Sequence, residues 1–326
     1  MNYFLDTVGS QGFYSFPKPG CMLTVGYPNE LVEKLVEQVS TVAEAQGRRA
    51  DRIHNFLNDG VCGVLVDEAG FVNLPLFAPA RGHHVFDLFY NDKLCKAETA
   101  LRCAGEHFKT ALGIHDDWEK IYISNMSFST LNQLTVSVIE KLIGERRMDK
   151  TGRRADRFLG AATAEGSVDY IGDITDGISK RYLIKGRPGT GKSTFMKKIA
   201  EQALSHGFDT EVYHCSFDPN SLDMIIMREL DVCLFDSTAP HEYFPSRTND
   251  EIIDIYEIAV TSGTDERYAD ELAEIQTAYA AEIALAREQL KILKNYDDEV
   301  QEYYLASVDP QRFMEVEEKI IQNLLQ

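Results

Sequence analysis

The octapeptide GRPGTGKS, Gly186 to Ser193, constrains this 326-residue chain more than any other stretch of it. It meets the pattern Gly-x-x-x-x-Gly-Lys-[Ser/Thr], in which each position has a physical task. A phosphate cluster needs donors from several directions at short range. Gly186, Gly189 and Gly191 let the backbone turn tightly, so that successive N–H groups point inward. A helix expected from Lys192 to His206 adds its positive N-terminal end at the same place. Lys192 supplies a full charge, and Ser193 a hydroxyl suited to Mg²⁺. Arg187, Pro188, Thr190 and Thr194 complete the expected contact set. The apolar run RYLIK before the loop reads as a buried strand, the context the pattern demands.

Magnesium also needs a carboxylate, best placed at the end of a neighbouring strand. DVCLFD ends in Asp236 after four apolar residues and takes that role; a turn cap is the plainer alternative. TEVYHC reads as a further strand, and short strands with a helical crossover argue for a parallel sheet. The loop HCSFDPNSLD, 214–223, then opens where ligands sit in such sheets. Asp218 and Asp223 are its candidates to orient a water or an acceptor hydroxyl, whereas His214 reads better as a satisfied strand histidine. Arg247, in APHEYFPSRTNDE, is the expected lid arginine over the phosphate, with Arg228 as the alternative and a plain surface arginine as the bland reading of both. His214, Cys215 and His241 lack the regular spacing of a metal site. Beyond residue 250 the pattern is helical. Leu272, Ile275, Tyr279, Ile283, Ala286, Leu290 and Leu293 form a stripe that suits packing within the chain, or a coiled-coil homodimer. Asp309-Pro310 opens a last helix.

The loop has a faded echo. GYPNELVE, Gly26 to Glu33, also opens Gly-x-Pro after an apolar run, 160 residues upstream. At that offset Leu35, Val36, Val39 and Ala43 fall on Phe195, Met196, Ile199 and Ala203, one helical stripe in both places, while Gly47 meets Gly207 and His54 meets His214. Phe4, Leu5 and Gly12 match Phe158, Leu159 and Gly166 at offset 154, the Ala-Pro pairs at 78–79 and 239–240 match at 161, and DDWEKIY matches DDEVQEY at 181. The order of these matches implies a duplication, with halves at 1–144 and 155–326 and a basic linker, 145–154, between them. In the first half, Leu31, Val32 and Glu33 stand where Gly191, Lys192 and Ser193 are needed, and Pro75 or Leu76 where Asp236 is needed. The first half is therefore expected to bind no nucleotide.

The net charge is −19, and His241–Gln326 holds 20 acidic residues against 7 basic. Such a surface repels phosphate backbones and anionic lipid, so neither nucleic acid nor membrane is an expected partner. The one basic stretch, GERRMDKTGRRADR at 144–157, reads as a solvated linker or as the source of an arginine reaching the nucleotide. Six cysteines without a C-x-x-C pair, no basic start and no long apolar run suggest a cytoplasmic protein.

With these motifs in hand, the chain resembles a family of tandem P-loop proteins, bacterial and largely uncharacterised, usually labelled ATPase or nucleotide kinase-like. The resemblance rests on RYLIKGRPGTGKST, EVYHCSFDPNSLDM, FDSTAPHEYFPSR and HDDWEKIYI, and covers most of both halves. It implies an α/β fold of two related P-loop NTPase-like three-layer halves, each a mostly parallel sheet flanked by helices with a C-terminal helical extension. In that family the first half often has its own intact loop. This sequence departs there, which weighs against a two-site alternating mechanism. The expected cofactors are ATP and Mg²⁺, with ATP preferred over GTP because no Asn/Thr-Lys-x-Asp motif is present. Three functions remain open: an ATP hydrolase, a kinase for a small-molecule or nucleotide acceptor, and an ATP-sensing module that docks a protein partner. Hydrolases often carry a glutamate directly after the metal-binding aspartate; here Ser237 and Thr238 follow.

Overall fold

A computed structural model describes residues 1–18, 20–67, 69–73, 88–239 and 241–325, with backbone alone at 88–91. Its first part runs β1 (Asn2–Phe4), β2 (Asp6–Gly9), β3 (Gly12–Ser15), β4 (Cys21–Val25), α1 (Asn29–Ala45), β5 (Ala50–His54), β6 (Val61–Val66), β7 (Ala69–Asn73), α2 (Leu88–Ser124) and α3 (Phe128–Leu142). The second part opens with β8 (Arg154–Phe158), β9 (Gly160–Thr163), β10 (Gly166–Asp169), α4 (Ile171–Ile174), β11 (Lys180–Lys185) and α5 (Lys192–Ser205). It continues with β12 (Thr210–His214), β13 (Leu222–Met227), β14 (Val232–Asp236), β15 (Glu251–Asp254), α6 (Ile255–Ala259), α7 (Thr264–Arg267), α8 (Ala269–Ser307) and α9 (Pro310–Leu325).

Eleven strands form one sheet in the order β15-β11-β14-β13-β12-β8-β1-β5-β6-β7-β4. Strand alternation assigns each side chain to one face. In β13, Met224 and Ile226 face one core, and Ile225 and Met227 the other. The first core is roofed by α2 and α8, the second by α3 and α5, and its neighbour by α1 and α9. The result is α/β in three layers. Two expectations fail here. The sheet is mixed, because β13 runs antiparallel to both β12 and β14; its fully buried LDMIIM has no polar residue after Asp223 to mark a face. Beyond residue 250 the chain first makes β15, parallel to β11, before turning helical.

The central seam joins β1 to β8 antiparallel at Phe4 and Phe158. Across it the helices are exchanged. Leu131, Val138 and Leu142 of α3 pack with Phe195, Met196 and Ile199 of α5, while Ile320 and Leu324 of α9 pack with Leu35, Val36 and Val39 of α1. The stretches 1–144 and 155–326 therefore share cores rather than divide them. The apolar stripe of α8 meets α2 within the chain, with Ala286, Leu290 and Leu293 in the same core as Ala97, Ala100 and Ala104. Asp309 caps α9 as its sequence suggests, accepting the amide of Gln311 at 2.9 Å. The basic segment is pinned at the end of α5 remote from the glycine loop: Lys150 and Arg153 pair with Asp209 at 3.0 Å, and Met148 N–H donates to His206 O. None of these arginines reaches the loop. The six cysteines are unpaired, and among the described residues no helix is long and apolar enough to cross a membrane.

Candidate functional site

β11 delivers the chain to the loop, and the loop delivers it to α5. Gly189 and Gly191 take φ +73° and +83°, a left-handed conformation that a side chain disfavours. A Cβ on Gly186 would lie 2.5 Å from Thr190 Oγ1. The buried Thr190 hydroxyl donates to Arg187 O at 2.7 Å and closes the turn. α5 has no side-chain cap, and its first full-turn bond runs from Phe195 N–H to Gly191 O. The amides of Gly191, Lys192, Ser193 and Thr194 thus find no acceptor among the described residues. Four unmatched donors at the positive end of a helix form an anion cradle.

Lys192 bends back over this cradle. Its ammonium donates to Arg187 O at 3.0 Å and lies 3.6 Å from Asp236 Oδ2. Asp236 is there because β14 lies beside β11, with Ile184 opposite Asp236. Thr238 holds Asp236 Oδ1 with its hydroxyl at 2.6 Å and its amide at 3.1 Å. Ser193 Oγ accepts the amide of Leu222 at 2.9 Å, which ties the start of β13 to the loop. Asp223, the next residue, is buried. It adjoins the Met224–Phe235 pair of the β13–β14 ladder, so its carboxyl and that of Asp236 crowd the same strand edge. Burial, with Asp236 adding to it and His241 and Lys192 opposing it, pushes the Asp223 carboxyl up to about 6. Behind it, His241 Nδ1 lies 2.9 Å from Asp169 Oδ2, and the Tyr243 hydroxyl donates to Asp169 Oδ1 at 2.6 Å. Burial disfavours a charged His241 ring, but Asp169, Asp223 and Asp236 outweigh it and raise its affinity for the proton.

The other expected residues fare differently. Asp218 spends its carboxylate within its own loop, accepting Asn220 N–H at 3.2 Å and the Ser221 hydroxyl at 3.0 Å. Arg187 turns outward to Asp265 at 2.9 Å and stacks over Tyr256. Arg247 is not a lid arginine: it donates to Thr175 O at 2.7 Å, on the side of Arg181 at the opposite end of β11. Arg228 pairs with Glu211 at 2.7 Å at the start of β14, equally far from the loop. His214 is structural, its ring nitrogens meeting Pro219 O at 2.6 Å and Asp156 Oδ1 at 2.7 Å.

Asp169, Tyr243, His115 and Glu119 escaped sequence reasoning. The last two lie on α2, and only the folded chain brings that helix to the loop. A Cβ on Gly189 would strike Glu119 O at 2.6 Å, and one on Gly191 would strike Leu131 at 2.7 Å. His115 packs with Trp118, Phe217 and Tyr279 beside the 214–223 loop.

Ser193 Oγ and the Asp236 carboxylate are hard oxygen donors, which fit a small divalent cation. Among the described residues no three His, Cys, Asp or Glu side chains gather as a metal site. A cation here would need further ligands beyond these side chains.

The first half offers a contrast. Its loop, 26–29, is clamped: Asn73, at the end of β7, accepts Tyr27 N–H at 3.1 Å and donates to Tyr27 O at 2.8 Å. Gln301 of α8 accepts Asn29 N–H at 2.9 Å, and Leu31 and Val32 amides return to Pro28 O. Pro75 and Leu76, and the Ala-Pro pair at 78–79, lie outside the described residues; the hairpin register puts Asn73 at the place Asp236 holds in β14. No protein-family model, curated protein or solved structure matches the chain.

Proposed function

We propose that the second half binds Mg²⁺-ATP on Gly186–Thr194 and hydrolyses it. The observation that carries this reading is the convergence of four unmatched amides, Lys192, Ser193 and Asp236 on one strand edge. In it, the loop amides and Lys192 hold the β- and γ-phosphates and offset the charge that develops on them. Ser193 and Asp236 would hold a magnesium ion, which would supply charge neutralisation. Asp223, buried with a carboxyl pushed to about 6, takes the proton of the attacking water. The water oxygen bonds to the γ-phosphorus, the bond from phosphorus to the ADP oxygen breaks, and ADP leaves with that electron pair. His241 and Asp169 keep Asp223 in a polar wall rather than touching the nucleotide.

The same reading includes a duplication: two P-loop NTPase-like halves, the first without a site. It is supported by the equal surroundings of His54 and His214. His54 meets Asp59 O and Asn2 Oδ1 at 2.8 and 3.0 Å, matching His214 with Pro219 and Asp156 at the offsets of 160 and 154. Both strands slip register at that histidine. The kinase alternative loses its lid arginine, since Arg247 is held at Thr175. A coupled assay for ADP release, with and without nucleoside and sugar acceptors, tests the reading. Acceptor-independent turnover that vanishes in Lys192→Ala supports it; turnover only with an acceptor selects the kinase, and tight binding without turnover selects a sensor.

A further inference from the structure

The unassigned feature at the loop is the turn of α2 that covers it. Helix α2 lies so close that Glu119 backbone atoms stand within 3 Å of where a Gly189 Cβ would be. The Glu119 side chain lies over the Gly189 turn, its Cβ 2.9 Å from where a Gly189 Cβ would be, and its carboxylate lies 3.6 Å from His115 Nδ1. Burial raises its affinity for a proton, with Asp116 and Asp218 adding to the rise; the Gly189 N–H and Lys192 act in the opposite sense. Burial and Lys192 lower that of His115, so the ring beside Glu119 is no strong cation. A triphosphate oxygen seeks the same N–H and the same positive field, and two anions do not share them without cost.

We propose that Glu119, seated over the Gly189 turn, competes with the nucleotide's phosphates for that turn and the positive field around it, so that nucleotide binding swings its carboxylate away and shifts α2. This rests on the nucleotide reading of the loop and gives the first half a part in it. The α2–α3 corner is bonded into the second half, with Ser127 N–H donating to Ala259 O and Thr261 N–H to Asn125 O. α2 packs along α8, whose Gln301 and Tyr304 hold the first half's own loop at Asn29 and Gly26. Each loop is thus held by the long helix of the other half. The clamp is anionic where the cradle is intact and a neutral amide where it is lost.

The chain reports this event itself. Trp118, its only tryptophan, precedes Glu119 and packs against His115 and Tyr279. Mg²⁺-ATP and its β,γ-imido analogue are titrated into the full-length wild type, Glu119→Gln, Glu119→Ala and Lys192→Ala while Trp118 emission and calorimetric heat are followed. The expected results are a shift of Trp118 emission on saturation in the wild type and roughly tenfold tighter binding in both Glu119 variants, the size of one charge contact at a half-exposed site. Unchanged or weaker binding in the Glu119 variants, with the wild type still binding through Lys192, overturns this inference alone. No binding by the wild type overturns the nucleotide reading and this inference together.

Discussion

Gly26–Glu33 and Gly186–Ser193 hold equivalent places between a strand and a helix, yet their backbones are put to opposite use. In the first, the amides of Tyr27, Asn29 and Leu31 are taken, by Asn73, Gln301 and Pro28, while Val32 makes the same first-turn bond to Pro28 that Phe195 makes to Gly191. In the second, Gly191 to Thr194 have none taken. The difference teaches that the first loop is a completed structure: its polar groups have found internal partners, as buried polar groups must. The two stretches also depend on each other. The first half's helices roof the second half's core, and α2 forms a wall of the intact site.

The harshest way to break the comparison is to discard the first half. A fragment of residues 145–326 loses Leu131, Val138, Leu142 and Ile143 from the core over α5. At roughly 1.5–3 kcal/mol for each buried side chain, the loss is on the order of 6–12 kcal/mol, comparable to the ~5–15 kcal/mol that holds a domain together. The fragment is expected to be insoluble or molten; a cooperative thermal transition from it would contradict the shared core. Next in size, Lys192→Ala should lower ATP turnover by about a thousandfold, while far-ultraviolet circular dichroism stays the same. Asp223→Asn should cost about a hundredfold or more in kcat. The wild-type rate should rise as pH passes upward through about 6, because the base is the deprotonated form, and the variant should lose that limb. Smallest is Asn73→Ala in the first half. It releases Tyr27 at roughly 1–2 kcal/mol of stability, seen in urea melts, and leaves ATP turnover unchanged.

The candidate site was legible because its pattern is local. Eight consecutive residues fix the loop, and Asp236 closes an apolar strand whose partner is the loop strand itself. The helical stripes of α1 and α5 were equally plain, since Leu35, Val36, Val39 and Ala43 in one and Phe195, Met196, Ile199 and Ala203 in the other keep helical spacing on one buried face. What stayed hidden depends on distant contacts. β13 is uniformly apolar after Asp223 and has no period to read. Arg247 sits among polar residues that look like a lid, and only the packing of its segment against Thr175 and Arg181 shows which end of the sheet it serves. Glu119 and His115 lie some 70 residues from the loop they face. No local pattern encodes the exchange of helices that brings them there.

The central claim is one working cradle per chain. Isothermal titration of Mg²⁺-ATP into the full-length protein tests it most directly. The account predicts saturation at one nucleotide per chain, abolished by Lys192→Ala. Two nucleotides per chain, or heat that survives that substitution, would contradict it.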